Sequence, residues 1–157
     1  MTSSIQKRLD ALGITLDTPP TAVANYVPYV LDGKMLIISG QIPVSEGSVV
    51  CKGKVGQDVD LDDAQAAAKL CAINILTQAQ AAIGDLDRIE RLVRLGGFVA
   101  SAPDFYDHAL VINGASDFMV DVLGDRGKHA RSSVGCSSLP LNSAVEVEAM
   151  FRISSWV

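Results

Sequence analysis

Arg131 stands in the run HARSSVGCSSLP among small neutral residues, and Glu146 and Glu148 follow in AVEVEAM. A guanidinium can grip a carboxylate through two parallel hydrogen bonds, and a nearby glutamate can position a water or move a proton. Together they would make a small site for a substrate that carries a carboxylate. The plainer alternative is a cross-strand ion pair. Arg131 begins one strand, and the two glutamates share one side of the next, across a short turn. Spacing alone leaves both readings open.

Other chemistries find less support. Serines are plentiful and His108 and His129 are present, but no G-x-S-x-G elbow occurs, so surface serines and histidines are the default. Asp104, Asp107 and His108 cluster in one loop without the paired spacing of metal ligands. LGGFVAS and GDRGKHAR contain glycines but match neither a P-loop nor a dinucleotide fingerprint. The second run could hold an anion through backbone amides and Lys128. Cys51, Cys71 and Cys136 are odd in number and widely spaced, which suits neither a disulfide framework nor a zinc site. Buried structural thiols are the default for Cys71 and Cys136.

The bulk composition narrows the class. In 157 residues, 48% are apolar and 20% charged, which describes one globular domain with a real core. Aromatics are 5%, so that core must be aliphatic and alanine-rich. The net charge of −5 argues against non-specific nucleic-acid binding, which needs lysine and arginine against phosphate. No apolar run reaches the roughly 18–20 residues of a membrane helix. The start, MTSSIQKRLDALGITL, has no signal-peptide pattern, so the cytosol is the expected compartment.

The elements that must position the site follow from periodicity. Ile5, Leu9 and Leu12 predict a short helix over 4–12, capped by Ser3 or Ser4, and TPPT at 18–21 breaks it. NYVPYVLDGKMLIISGQIPV reads as a hairpin with strands at 26–31 and 34–41 and a turn at Asp32-Gly33. The continuous run Met35 to Ile38 suggests burial on both faces. SEGSVVCKGKVG reads as a loop with room for a short strand. A long helix is predicted from 61 or 62 to 83, capped by Asp62 or Asp63 and stopped by Gly84. Ala67, Leu70, Cys71, Ile73, Asn74 and Ala81 mark its packing face. RIERLVRLGGFVAS allows helix at its start, but Gly96-Gly97 and its β-branched content favour strand over most of it. Ala109, Ile112, Ala115, Phe118, Met119 and Val122 mark another helix, weakened by Gly114 and ended by Gly124. RSSVGCSSL and AVEVEAMFRI close the chain as strands. The last alternates strictly, with Val145, Val147, Ala149, Phe151 and Ile153 on one face. The order is that of a two-layer α+β domain, with helices on one face of a mixed sheet. Its open face predicts self-association.

Several of these motifs, in order, resemble the RidA/YjgF family of small cytosolic proteins. The early hallmark S-G-Q-I-P stands at 39–43, with Tyr26 thirteen positions before its serine. The late hallmark is A-R-S/T-x-V, then L-P, then V/I-E-V/I-E-A. It reads Ala130-Arg131-Ser132-Ser133-Val134, Leu139-Pro140 and Val145-Glu146-Val147-Glu148-Ala149. The resemblance covers residues 25–153. It implies a chorismate-mutase-like fold over 1–157, with residues 1–20 as a helical extension. It also implies a homotrimer whose sheets form a central β-barrel, with sites in the clefts between subunits. The implied activity is hydrolysis of small enamines and imines, such as 2-aminoacrylate, to 2-oxo acids and ammonia, with no metal or cofactor. By motif match, Arg131 would clamp the substrate carboxylate and Glu146 would activate water. Tyr26, Ser39, Gly40, Asn113 and the backbone at Ser133 would line the pocket.

The chain also departs from the pattern. Many of the family's imine deaminases carry cysteine where Ser133 stands, and often glutamate where Gly135 stands. The N-terminal helix and the longer approach VDVLGDRGKHA are additions. This implies a divergent subgroup, whose members carry names such as translation initiation inhibitor and endoribonuclease. A trimer that binds a small carboxylate metabolite without turnover is the alternative function. RNA-directed activity is a third, disfavoured by the acidic balance.

Overall fold

A computed structural model describes residues 3–19 and 25–155. Pro20 and Thr21 of the expected helix break lie outside the described residues. The chain runs α1 (Ser4–Ala11), β1 (Tyr29–Asp32), β2 (Met35–Gln41), β3 (Val44–Ser45), β4 (Ser48–Val49), α2 (Leu61–Ile83), β5 (Ile89–Ala100), α3 (His108–Leu123), β6 (Ala130–Cys136) and β7 (Val145–Ile153). The main sheet has the order β1-β2-β7-β5-β6, and β3 and β4 form a separate small hairpin. All neighbours in the main sheet are antiparallel except β5 and β6, which are parallel. The α+β expectation of a mixed sheet with two main helices on one face holds, with α1 as a third helix.

β7 lies at the centre and shows the predicted alternation. Val145, Val147, Ala149, Phe151 and Ile153 are buried under the helices, with Leu36 and Ile38 of β2 and Leu92, Leu95 and Val99 of β5. Each buried branched or aromatic side chain contributes about 1.5–3 kcal/mol. Ile37, expected to be buried within a run covered on both faces, is instead 36% exposed and faces away from the helices. The strand keeps its period of two, so the apolar run does not by itself mean two covered faces.

The long helix has the predicted bounds, but its cap is Asp60, whose carboxylate accepts from the Asp63 amide at 2.8 Å. The cap sits one residue before the helix, where free amides point. Its buried face is also rotated from expectation: Ala64, Ala68, Cys71, Ala72, Ile75, Leu76 and Ala79 are buried, while Ala81 is exposed. Gly114 serves packing. A Cβ there would collide with the Gln65 carbonyl of α2, so the glycine lets the two helices cross closely.

α1 docks through Ile5 and Leu9, both fully buried, and through a carboxylate far away in sequence. Ser3 caps it, accepting from the Gln6 amide at 3.3 Å. Asp87, in the turn before β5, accepts from the Ser4 amide (2.6 Å), the Ser4 hydroxyl (2.7 Å) and the Ile5 amide (3.1 Å). Burial pushes the Asp87 carboxyl up, but these hydrogen bonds outweigh it and hold it at about 2, below the ordinary 3.8. A carboxyl lowered on folding stabilises the fold above its ordinary range, and that contribution is lost as pH falls through 3.8 towards 2. Asp87→Ala should therefore cost about 1–2 kcal/mol in urea unfolding at pH 7, the usual size of a lost helix cap. The difference from wild type should shrink steadily as the pH is lowered into that window.

Candidate functional site

Two groups of polar residues stand on opposite faces of the sheet. The first lies between the edge strand β6 and α3. In the parallel register Arg131 pairs with Leu95, Ser133 with Gly97 and Gly135 with Val99, so all three face the helices. Arg131 is half-buried there. Its Nη1 donates to Ser116 Oγ at 3.0 Å and its Nη2 to the Ala109 carbonyl at 3.3 Å. Both acceptors are neutral and both belong to α3. Asn113 lies between them in helical register, on the side of α3 turned to Arg131. Ser133 Oγ is buried with no hydrogen-bond partner among the described residues.

The neighbouring cations are already engaged. Lys128 pairs with Asp125 at 2.9 Å. Arg126 donates to the carbonyls of Ile89 (2.9 Å) and Asp87 (3.3 Å) and approaches the Asp87 carboxylate at 3.8 Å. The anion site considered for GDRGKHAR thus has its lysine neutralised. Among the described residues, Arg131 has no carboxylate partner. A guanidinium has five N–H groups, and two of these are used from behind. Three remain, including one on each terminal nitrogen, enough for a bidentate grip on a carboxylate.

The second group lies on the open face. Glu146 and Glu148 of β7 stand opposite Phe98 and Gly96 of β5. Gly40 lies against Glu146, and a Cβ there would collide with the carboxylate. A register shift between Ile38 and Gln41 shapes this part of β2. The Ser39 hydroxyl donates to the Val27 carbonyl at 2.7 Å, and its amide to the Pro28 carbonyl at 3.0 Å. These bonds bring the segment just after Tyr26 against β2, and Tyr26 itself is 56% exposed. Burial, then the nearby Glu148 carboxylate, pushes the Glu146 carboxyl above its ordinary value. Burial also raises the thiols of Cys51, Cys71 and Cys136, so none is primed as a thiolate nucleophile.

The structure therefore groups Arg131 with Asn113 and Ser133, and Glu146 with Gly40 and the Ser39 segment, but does not join the groups within one chain. The cross-strand ion pair between Arg131 and the glutamates is overturned. β5 lies between β6 and β7, and the charges project from opposite faces. The cause is topological. The α3 crossover returns β6 parallel to β5, and the link from β6 to β7 then passes the end of β5, where the Ala100 amide donates to the Ala144 carbonyl.

Sequence reasoning missed Ser116 and His129 as a unit. His129 Nε2 lies 2.9 Å from Ser116 Oγ, and its Nδ1 lies 2.6 Å from the Gly127 carbonyl. It also missed Ser101, whose hydroxyl lies 3.0 Å from His108 Nε2, facing Gly135. Ser116 sits among apolar positions of α3, a faint signal that it serves something inside.

A sequence profile of the family described as "YjgF/chorismate_mutase-like, putative endoribonuclease" matches residues 6–152. Protein TCP17 of Trypanosoma cruzi is 41% identical over 152 residues, 96% of this chain and 95% of that one. The crystal structure of protein Atu1372, of unknown function, from Agrobacterium tumefaciens is 49% identical, with a TM-score of 0.91 over 96% of this chain and 93% of that one. A structure from Shewanella oneidensis described as a "putative endoribonuclease" is 31% identical, with a TM-score of 0.92 over 97% of this chain and 100% of that one. Among the described residues no helix is long and apolar enough to cross a membrane. With its motifs, its sheet order and these relatives in agreement, the chain belongs to the YjgF/chorismate mutase-like family.

Proposed function

We propose that the protein hydrolyses small imines bearing a carboxylate to 2-oxo acids and ammonia, at sites completed between subunits of a homotrimer. The observation that carries this reading is Arg131: a guanidinium held from behind by neutral acceptors, with N–H groups to spare and no carboxylate partner among the described residues. Such a cation suits an anion supplied from outside. Glu146 supports the second half. A carboxyl raised above its ordinary range is a better proton acceptor near neutral pH. On the same open face, Ile37, at 36% exposure, and Val134, at 46%, suit burial by a second copy. Since Arg131 and Glu146 face opposite ways in one chain, each cleft takes the arginine from one subunit and the glutamate from the next.

In that cleft Arg131 grips the substrate carboxylate and fixes the imine carbon. Asn113 and Ser133 border the same groove, while Tyr26, Ser39 and Gly40 border Glu146. The water oxygen adds to the imine carbon as Glu146 takes its proton. The protonated Glu146 returns that proton to nitrogen, giving a carbinolamine; it then moves the hydroxyl proton to nitrogen in the same way, the C–N bond breaks as the C=O bond forms, and ammonia leaves behind a 2-oxo acid. No electron is gained or lost, and placement of a reactive imine supplies much of the acceleration.

An amino-acid oxidase or a serine/threonine dehydratase can generate the imine while semicarbazide competes for it. Wild type should divert imine from the trap, and Arg131→Ala should lose about 100-fold or more, since each charge-assisted bond contributes about 1.5–3 kcal/mol. No acceleration across several amino acids, or an Arg131→Ala variant equal to wild type, would contradict the reading. Carboxylate binding without turnover would mark a binding protein instead.

The proposed role of Glu146 also carries a stability cost. A carboxyl raised on folding favours its protonated form in the fold, so stability falls as pH rises from its ordinary value through the raised one. Glu146→Gln should abolish turnover yet raise the melting temperature at pH 8, with the gain disappearing at pH 4. A variant that melts lower than wild type at pH 8 would contradict this.

A further inference from the structure

We infer that Ser116 and His129 form a hydrogen-bonded brace that sets the orientation of the Arg131 guanidinium for carboxylate binding. The inference rests on the reading of Arg131 as the carboxylate clamp and adds two positioning residues to it.

The direction of every bond in the brace follows from chemistry. The Gly127 carbonyl can only accept, so His129 Nδ1, 2.6 Å away, carries a hydrogen. In the neutral ring Nε2 is then an acceptor, and the Ser116 hydroxyl at 2.9 Å donates to it. That leaves the Ser116 oxygen free to accept from Arg131 Nη1 at 3.0 Å. The order is Arg131 to Ser116 to His129 to the Gly127 carbonyl, each group donating to the next. Such chains polarise in one sense and strengthen each member.

The far end of the brace is fixed. Gly127 is buried, and a Cβ on it would collide with the Met119 carbonyl of α3, so its backbone lies tight against the helix. Ser116 is also buried, at 9% exposure. With Nη2 held by the Ala109 carbonyl, the guanidinium plane is pinned at two points along α3. An arginine side chain otherwise loses about 2 kcal/mol of rotamer entropy on being ordered. Ordering it before the ligand arrives removes much of that cost from binding.

The brace makes a different prediction from a purely structural pair. A lost pre-ordering weakens the substrate complex and the transition state alike, so it raises KM and leaves kcat nearly unchanged. Ser116→Ala and His129→Asn should each raise KM for the imine about 10-fold, with kcat within about 3-fold. Asparagine can keep the bond to Gly127 but cannot reach Ser116. Glutamine reaches the place of Nε2 and can accept from Ser116, so His129→Gln should recover most of the KM. Calorimetry with 2-oxobutyrate should show the same order of affinities without turnover, and thermal melts should not follow it. If Arg131→Ala loses binding while Ser116→Ala and His129→Asn match wild type, the brace is wrong and the clamp stands. KM values that track melting temperature, or no rescue by glutamine, would also overturn the brace. If wild type and Arg131→Ala bind 2-oxobutyrate equally, the clamp itself fails, and the brace with it.

Discussion

The parallel pairing of β5 with β6 decides where each group of the site stands. Because α3 carries the chain from the end of β5 back to the start of β6, β6 becomes an edge strand with α3 above it. Its odd-numbered residues from 131 to 135 face that helix, and its even-numbered residues face away. Arg131 consequently enters a narrow space between helix and sheet edge, where carbonyl and hydroxyl groups can hold it. The next strand does not pair beside β6. It passes to the far side of β5 and becomes the centre of the sheet, with its glutamates on the opposite face.

This arrangement places polar groups at two points of weakness. At the edge, Arg131 and a Ser133 hydroxyl with no partner among the described residues lie between β6 and α3. On the open face, two carboxylates share a region with Ile37, Phe98 and Val134. Neither arrangement is what stability alone would choose. Buried polar groups cost free energy unless they are satisfied, and like charges repel. The apolar centre under α2 and α3 is strong enough to tolerate both. Glycines at 40 and 96, against which Glu146 and Glu148 lie, make the crowding possible by leaving room for carboxylates on the sheet itself.

Much of the fold was legible in the sequence because it rests on local periods. The alternation of VEVEAMFRI named the buried face of β7 residue by residue, and the alanine-rich run from 61 to 83 marked its own ends. Failures came where a property depends on partners distant in the chain. Sequential strands usually neighbour one another, so β6 and β7 invited a cross-strand pair, yet the crossover placed β5 between them. Ile37 reads as core by composition, but which faces are covered is decided by the rest of the assembly. The site residues split likewise. Arg131 and Glu146 stood out by type and motif, but their placement on opposite faces did not. Ser116 and His129 lie thirteen residues apart, across a helix end and a tight turn, and no periodicity links them.

On the proposed reading, one chain holds two halves of a site and assembly joins them. Co-expressing Arg131→Ala chains and Glu146→Gln chains under different tags, and isolating the mixed trimers, tests this. Each parent alone should be inactive. In a cyclic trimer that takes the arginine from one subunit and the glutamate from the next, every mixed ring contains one intact site, so about a third of wild-type turnover should return. Mixed trimers as inactive as their parents would contradict a shared cleft, because the arginine and the glutamate would then have to act from the same chain.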